Sequence, residues 1–530
     1  MSKDYDAIVI GGGHNGLVNA CYLARAGLKT VLLERRHLVG GATITEELLE
    51  GFQFTTFSYA VSLLRPDIVE DLELAKHGLM ILPMPNTFQP GYNGEYLLLG
   101  ADKDANYHEI ARHSIEDAEG YKELGYLIDR VCFALKPWMD RIPPNQENDS
   151  EMVELKNRMN ELDGDVRAML DQFINCSAVE ILDQFIESNI VKAMIASSGI
   201  IGSQISPRDP KSGLVWLFHK LGEYDGVSGD WGFHKNGNGG LTQVMARAFE
   251  SFSGEIRLNA GVDKVLYADG VATGVRLADS SQLTADIVVS ALDPKLTFTK
   301  LVDPDDMPED LMNAISNYKF QGSASKVNFA LSGVPTFPGL EGRTDIFQGF
   351  TNVGPSLEYL DAAWKDCEAG RFSRRPFIDC CLQSTVDPDM SPPGKHVLSC
   401  FTMYTPYKLA ESDWDYQRDN LGDAVEETLE EFFPGFRNLV IHREVVTPLD
   451  IERVVGLTEG NIFAGELFGP QMFMHRPAPG WHQYRTPIGG YYQCGSGTHP
   501  GGCVTGGPGK LAAKQIIGDL EQRNGSVKFM

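Results

Sequence analysis

Ala7-Ile8-Val9-Ile10, running directly into Gly11-Gly12-Gly13-His14-Asn15-Gly16, decides the fold. An apolar run of strand composition opens onto a Gly-x-Gly-x-x-Gly turn. Each glycine has its own task in a dinucleotide-binding βαβ unit: Gly11 makes the tight turn, Gly13 lets backbone approach a pyrophosphate, and Gly16 lets helix pack on strand. Diphosphate charge then lies at the helix N-terminus, beside His14 and Asn15. Leu17 to Ala26 has helical composition, Gly27 ends it, and Lys29 to Glu34 reads as a second strand closing on an acid. Glu34 is placed to accept from ribose hydroxyls, with Arg35 next to it. The competing reading is a glycine-rich turn with a structural surface glutamate. Strand, glycines, helix, strand and terminal acid together in one short unit favour the nucleotide site.

Further out, Val39-Gly40-Gly41-Ala42-Thr43 lies where the ribityl chain of an extended FAD runs, and NAD-only enzymes have no need of such a segment. The far end of the sequence returns to the same site. Tyr491 to Cys494 reads as a short strand, Gly495 to Gly509 as a glycine-rich loop, and Lys510 to Glu521 as a helix. A second helix N-terminus offers free N–H groups and partial positive charge to the N1/C2=O end of a reduced flavin. Gly497, Gly502, Cys503 and Val504 are the expected contacts there, and FAD is the expected cofactor.

With these landmarks go Gly239-Gly240-Leu241 before a helix, Asn461 to Leu467, Tyr484-Arg485-Thr486-Pro487, and Cys494-Gly495-Ser496-Gly497-Thr498-His499-Pro500-Gly501-Gly502. On these residues the sequence resembles the phytoene desaturase-like flavoproteins over nearly its whole length. The resemblance implies a discontinuous, Rossmann-like α/β FAD-binding domain carrying an inserted α+β substrate domain, in the architecture of amine oxidases and phytoene desaturases. It also implies that Val262 gives its backbone to the adenine; a plain strand valine is the alternative. Two departures stand out. Cys503 occupies a usual glycine position, and Ala42 stands where related amine oxidases carry arginine.

The 530 residues, 42% hydrophobic and 22% charged, suit two domain-sized cores. A net charge of −26 without a basic tract argues against nucleic acid, whose phosphates need clustered Lys and Arg. The nine cysteines are scattered without Cys-x-x-Cys, so a disulfide framework, a zinc site and a redox dithiol all lack support and a reducing compartment is the simpler inference. Neither a signal peptide nor an 18-residue apolar run is readable. The expected location is the cytoplasm, with peripheral membrane contact left open.

Residues 1–59, 234–296 and 456–530 are assigned to the FAD-binding domain, and 60–233 and 297–455 to the substrate domain. The first insertion reads as mostly helical, with apolar residues at three- and four-residue intervals over Glu119 to Phe133, Ser150 to Phe173 and Ala178 to Ser198 and a polar break from Asn145 to Asp149; the second mixes strands, including Ala324 to Leu331 and His396 to Met403, with a helix from Trp414 to Phe433. Asp293-Pro294 marks a crossing between domains. Large side chains that could wall an apolar cavity are Trp216, Leu217, Phe218, Trp231, Phe233, Phe347, Phe350, Phe468, Met472, Phe473 and Met474; such residues more often fill cores, and the cluster Phe468 to Met474 is the best exception.

The expected chemistry is hydride transfer between a hydrophobic, polyene- or isoprenoid-like substrate and flavin N5, with oxygen or a quinone as acceptor of the electrons. Amine or amino-acid oxidation, and a flavoprotein whose role is structural or interactive, are the alternatives. His499 is the first candidate for acid–base work, against a role in shaping the cofactor loop. Tyr484 and Arg485 could orient a polar substrate end, against a structural salt bridge. His475 and Arg476 carry the same pair of readings. Cys503 is either a thiol activated at a helix N-terminus or a small residue in a glycine slot.

Overall fold

In the strand Ala7–Ile10, Ala7 and Val9 face one hydrophobic core while Ile8 and Ile10 face another. Period-two alternation with both faces covered is what turns a wholly apolar run into a central parallel strand. The computed structural model describes residues 3–224, 227–228 and 231–524. Its first sheet has five parallel strands in the order Glu255–Arg257, Thr30–Leu33, Ala7–Ile10, Ile287–Ser290, Tyr491–Gln493. The helices His14–Arg25, Asn238–Ser251 and Gly507–Asn524 cover one face. An antiparallel meander, Val262–Ala268, Val271–Leu277 and Gln282–Thr284, covers the other. This is the expected α/β Rossmann-like fold, with the helix beginning at His14 rather than Leu17.

The second sheet has seven strands in the order Val440–Val446, Ala324–Leu331, His396–Met403, Ile378–Leu382, Gly349–Val353, Asn86–Pro90, Tyr96–Gly100. Neighbours are antiparallel except Gly349–Val353 with Asn86–Pro90. The mostly helical first insertion therefore also supplies two strands. The sheet's apolar face packs against the helix Trp414–Phe432 through Trp414, Leu421, Val425 and Leu429. Its other face looks toward the segment after Thr55, between the two sheets, and carries the site described below.

Of the three helical stretches, Glu119 to Phe133 lies within one helix, Ile115–Met139, and the other two are each divided. Ser150 to Phe173 divides into Asp149–Asn160 and Gly164–Asn175. Ala178 to Ser198 divides into Ala178–Leu182 and Asn189–Ala196, because the buried Asp117 carboxylate accepts the N–H groups of Glu187 and Ser188, each at 2.7 Å. A carboxylate reached by a distant helix thus captures backbone that would otherwise continue the turn. Asp293 does cap a helix, Pro294–Thr299, and its carboxylate also accepts from Thr458 Oγ1 at 2.7 Å, tying the start of that helix to the last third of the sequence.

Candidate functional site

The Gly-rich turn closes on itself by hydrogen bonds from the neighbouring strand: Gly11 N–H donates to the Leu33 carbonyl at 2.8 Å and Gly12 N–H to Glu34 Oε2 at 2.8 Å. Glu34 Oε1 accepts from Arg36 N–H, also at 2.8 Å, so this buried carboxylate is oriented by backbone at both oxygens and keeps further lone pairs for hydroxyl donors. A Cβ on Gly16 would lie 2.0 Å from the Gly11 carbonyl, which is the close helix–strand approach expected of the third glycine. Gly40, at φ +133°, donates to the Gly12 carbonyl at 2.7 Å and brings Gly41 against Gly13. Thr43 N–H turns back to the Gly40 carbonyl, and the Ala42 carbonyl accepts from Ser58 N–H at 3.0 Å.

The two ends of the sequence meet at this turn. Asn15 Nδ2 donates to Ser496 Oγ and Asn19 Nδ2 to the Gly509 carbonyl, each at 3.0 Å. The His14 ring faces the Cys503 backbone. Gly497 lies against Pro294 and Gly502 against Phe463, with no room for a Cβ at either, and Val504 is buried in the core beneath the helices. On the other side, Ala260 N–H donates to the Glu34 carbonyl at 2.8 Å and places the half-buried Val262 near that acid. Arg35 turns its guanidinium to the Val454 carbonyl at 2.7 Å.

These residues fit an FAD. The helix His14–Arg25 starts at Gly13 with no side-chain cap, leaving first-turn N–H groups for an anion. A Cβ on Gly13 would meet nothing within 4 Å, so open space lies over that backbone. His14 Nε2 and Asn15 Oδ1 are buried at the same place without hydrogen-bond partners.

The other candidates are held by protein partners of their own. His499 is buried, its Nε2 pairs with the Trp138 carbonyl at 2.8 Å, and its ring meets Phe473 edge-on at 5.4 Å. Burial pulls its pKa down to about 4, so the imidazole is neutral at pH 7. Tyr484 is fully buried and donates to the His499 carbonyl at 2.9 Å. Arg485 is bound to Asp519 of the closing helix, with Nε at 2.8 Å. Cys503 precedes the helix Gly507–Asn524 instead of starting it, and burial pushes its thiol up to about 12, the opposite of activation. Phe468 to Met474 packs beside Lys211, Trp138 and His499. His475 is exposed, whereas Arg476 is fully buried and donates to five backbone carbonyls, among them Phe463 and Ser496 at 2.8 Å each.

A second group, absent from the sequence reading apart from Trp231 and Phe350, stands between the sheets. Tyr59 follows Ser58, the residue held to Ala42, and its ring meets Phe350 edge-on at 6.0 Å and Phe401 at 6.1 Å; Trp231 meets Phe350 at 5.6 Å. Lys326, 2% exposed, holds its ammonium 3.9 Å from the Tyr59 ring centroid and donates to Ser399 Oγ. The Tyr59 hydroxyl interacts with the carboxyl of Asp379. Burial pulls Lys326 down to about 7 and pushes Asp379 up to about 7. The available signal was Lys326 and Asn328 alternating with Val327 and Phe329 in a strand too apolar to border solvent.

The comparisons agree with this geometry. Residues 84–517 match the family model described as flavin containing amine oxidoreductase, and residues 9–72 match an NAD(P)-binding Rossmann-like domain. The chain is 36% identical to pyridine nucleotide-disulfide oxidoreductase domain-containing protein 2 of Mus musculus, over 98% of this chain and 94% of that one. It is 26% identical to the lycopene-forming phytoene desaturase of Pseudescherichia vulneris, over 97% of this chain and 99% of that one. An oxidoreductase structure from Methanosarcina mazei shares the fold at a TM-score of 0.60 and 16% identity, covering 97% of this chain and 100% of its own. The chain thus belongs to the flavin-containing amine oxidoreductase family and is an FAD-dependent oxidoreductase.

Proposed function

We propose that this oxidoreductase removes a hydride from carbon in an apolar, polyene- or isoprenoid-like small molecule. The observation that carries the reading is the aromatic wall of Tyr59, Phe350, Phe401 and Trp231, joined to the cofactor cradle through Ser58 N–H and the Ala42 carbonyl. Aromatic rings packed on one another, two pairs edge-on and Tyr59 with Phe401 tilted, give an apolar body a large, rigid contact surface and exclude water from it. A relative named for desaturating phytoene supports the same substrate class.

FAD, when bound, supplies the two-electron acceptor for the hydride at its N5. In this reading Gly11, Gly13, His14, Asn15 and Gly16 hold the diphosphate. Glu34, with Arg35, serves the ribose and Val262 the adenine. Gly40, Gly41, Ala42 and Thr43 follow the ribityl chain, and Gly497, Gly502, Cys503 and Val504 line the flavin end. Residues 1–59, 234–296 and 456–530 form the cofactor domain; 60–233 and 297–455 form the substrate domain. Tyr484 and His499 position the flavin loop through the 2.9 Å hydrogen bond between them, and Arg485 ties the last strand to the closing helix. Oxygen or a quinone takes the electrons onward. The proposed setting is the cytoplasm, with visits to a membrane surface if the acceptor is a quinone; among the described residues no helix is long and apolar enough to cross a membrane.

Anaerobic titration of the purified holoprotein tests this. Bleaching of the flavin absorption by a lipid extract supports the proposal. Bleaching by a panel of amines, with none by lipid, replaces it with amine oxidation.

A further inference from the structure

Strand register places Lys326 opposite Phe401, Phe401 opposite Asp379, and Asp379 opposite Asn352. These four residues form one row across four strands on the face turned to Tyr59. The next row on that face is Asn328, Ser399, Cys381 and Phe350. The alternate residues Val327, Phe329, Cys380 and Leu398 enter the core beneath the helix Trp414–Phe432. The face is therefore a mixed one: aromatic rings with a carboxyl and an amine set among them.

The carboxyl is incompletely satisfied. Asp379 Oδ1 is buried without a hydrogen-bond partner, and Lys326 makes no ion pair with it, being committed to Ser399 Oγ and the Tyr59 ring. An unpaired buried carboxylate oxygen costs on the order of 1–3 kcal/mol or more, so a purely apolar occupant would leave that cost standing. Taking up a proton removes it. Desaturation needs such an acceptor, because the substrate loses two hydrogens and only one leaves as hydride.

We propose that Asp379 accepts the proton released when the substrate is oxidised, an inference that rests on the function proposed above. One substrate C–H bond yields its hydrogen with both electrons to the flavin. A hydrogen on the adjacent atom passes as a proton to the Asp379 carboxylate, and the electron pair of that second bond becomes the new π bond. The substrate is oxidised by two electrons, the flavin is reduced by two, and the carboxylate becomes a carboxylic acid that returns its proton to solvent between turnovers.

The other titratable groups here are poorer acceptors. Burial drives the Tyr59 hydroxyl well above its ordinary range and the Cys381 thiol up to about 12, so both are already protonated at neutral pH. Lys326 is also pulled down to about 7, but its donation to Ser399 Oγ and its place over the Tyr59 ring both favour the charged ammonium, which takes up no further proton. Cys380 and Cys400 face the opposite core. Asp379, shifted to about 7, matches the neutral working range of a general base.

The test compares wild-type holoprotein with Asp379→Asn and Asp379→Glu, using phytoene in detergent micelles under anaerobic single-turnover conditions across pH. FAD content and thermal unfolding check that each variant is folded. The wild-type rate of flavin bleaching should rise with pH through an ionisation near 7; Asp379→Asn should lose about 100- to 10,000-fold and that rising limb, and Asp379→Glu should keep the limb. Independently of turnover, the infrared carboxyl band should show a group protonating near pH 7 that is missing in Asp379→Asn. An Asp379→Asn variant with bound FAD, the wild-type rate and the wild-type pH limb would overturn the assignment, as would absence of the infrared titration. A wild-type flavin that no polyene or lipid bleaches overturns the parent reading instead, and the assignment falls with it.

Discussion

Replacing Arg476 with methionine tests whether one cation holds the glycine-rich loop after Cys494 to the rest of the protein. Arg476 is fully buried with no carboxylate; it donates to the carbonyls of Phe463, Gly465, Glu466, Gln471 and Ser496, and its guanidinium lies 5.9 Å from the Tyr318 ring centroid. Methionine keeps the stem and removes every donor. The carbonyls of Phe463 and Ser496, the two at 2.8 Å, are left buried at about 1–3 kcal/mol each, so the expected loss is about 4 kcal/mol. For a cooperative unit of 530 residues, with about 2.1 cal/mol/K of unfolding entropy per residue, that lowers Tm by roughly 4 °C. Scanning calorimetry measures the shift, and flavin fluorescence during the scan reports release of FAD ahead of unfolding. Arg476→Lys should fare little better, because a point charge with three donors cannot span the fan of acceptors. An Arg476→Met protein within about 1 °C of wild type that retains its FAD would refute the reasoning.

Stability should fall as pH drops from about 6.5 toward about 4. His219 and His499 are buried with pKa values pulled down to about 4, so the unfolded chain binds their protons first, at a cost of up to about 3 kcal/mol each once both ranges are crossed. Denaturant midpoints across that window measure it, and the paired variant His219→Gln/His499→Gln should make the profile shallower, with His14, also pulled down to about 4 by burial, contributing to the slope that remains. Gly13→Ala should leave the folded apoprotein as stable as wild type, since its Cβ meets open space, yet weaken FAD binding at least about tenfold; Gly16→Ala, with a Cβ 2.0 Å from the Gly11 carbonyl, should destabilise the apoprotein itself. Equal behaviour of the two in calorimetry and FAD titration would contradict this geometry. Arg485→Ala removes a half-exposed ion pair and should cost under about 1 kcal/mol with FAD binding and turnover intact. A raised KM with FAD retained would assign that arginine to the substrate.

The nucleotide fold was legible because its signals are local. Gly11, Gly13 and Gly16 each answer a steric demand within one turn, and Ala7 to Ile10 is apolar because both of its faces are covered. What escaped depends on pairing between distant segments. Lys326 and Asp379 become neighbours only through the register of His396–Met403 between them, and Tyr59 joins them from a segment far earlier. The breaks at Glu187 and Ser188 are set by Asp117 on another helix. His499 belongs to a recognisable motif, yet its environment is fixed by the Trp138 carbonyl, which no motif names.

The strand Tyr491–Gln493 lies beside Ile287–Ser290, which itself lies beside Ala7–Ile10, and the last helix packs on the first. In the cell this sets an order of events. At about 5–20 residues per second, the roughly 480 residues separating those strands take on the order of half a minute to a minute and a half to synthesise. The βαβ unit gains its sheet neighbours when Glu255–Arg257 and Ile287–Ser290 are made, but its apolar face stays unfinished until the helix Gly507–Asn524 follows, so the far end of the cofactor cradle arrives last. FAD can therefore meet the complete cradle only after that last helix has packed on the first.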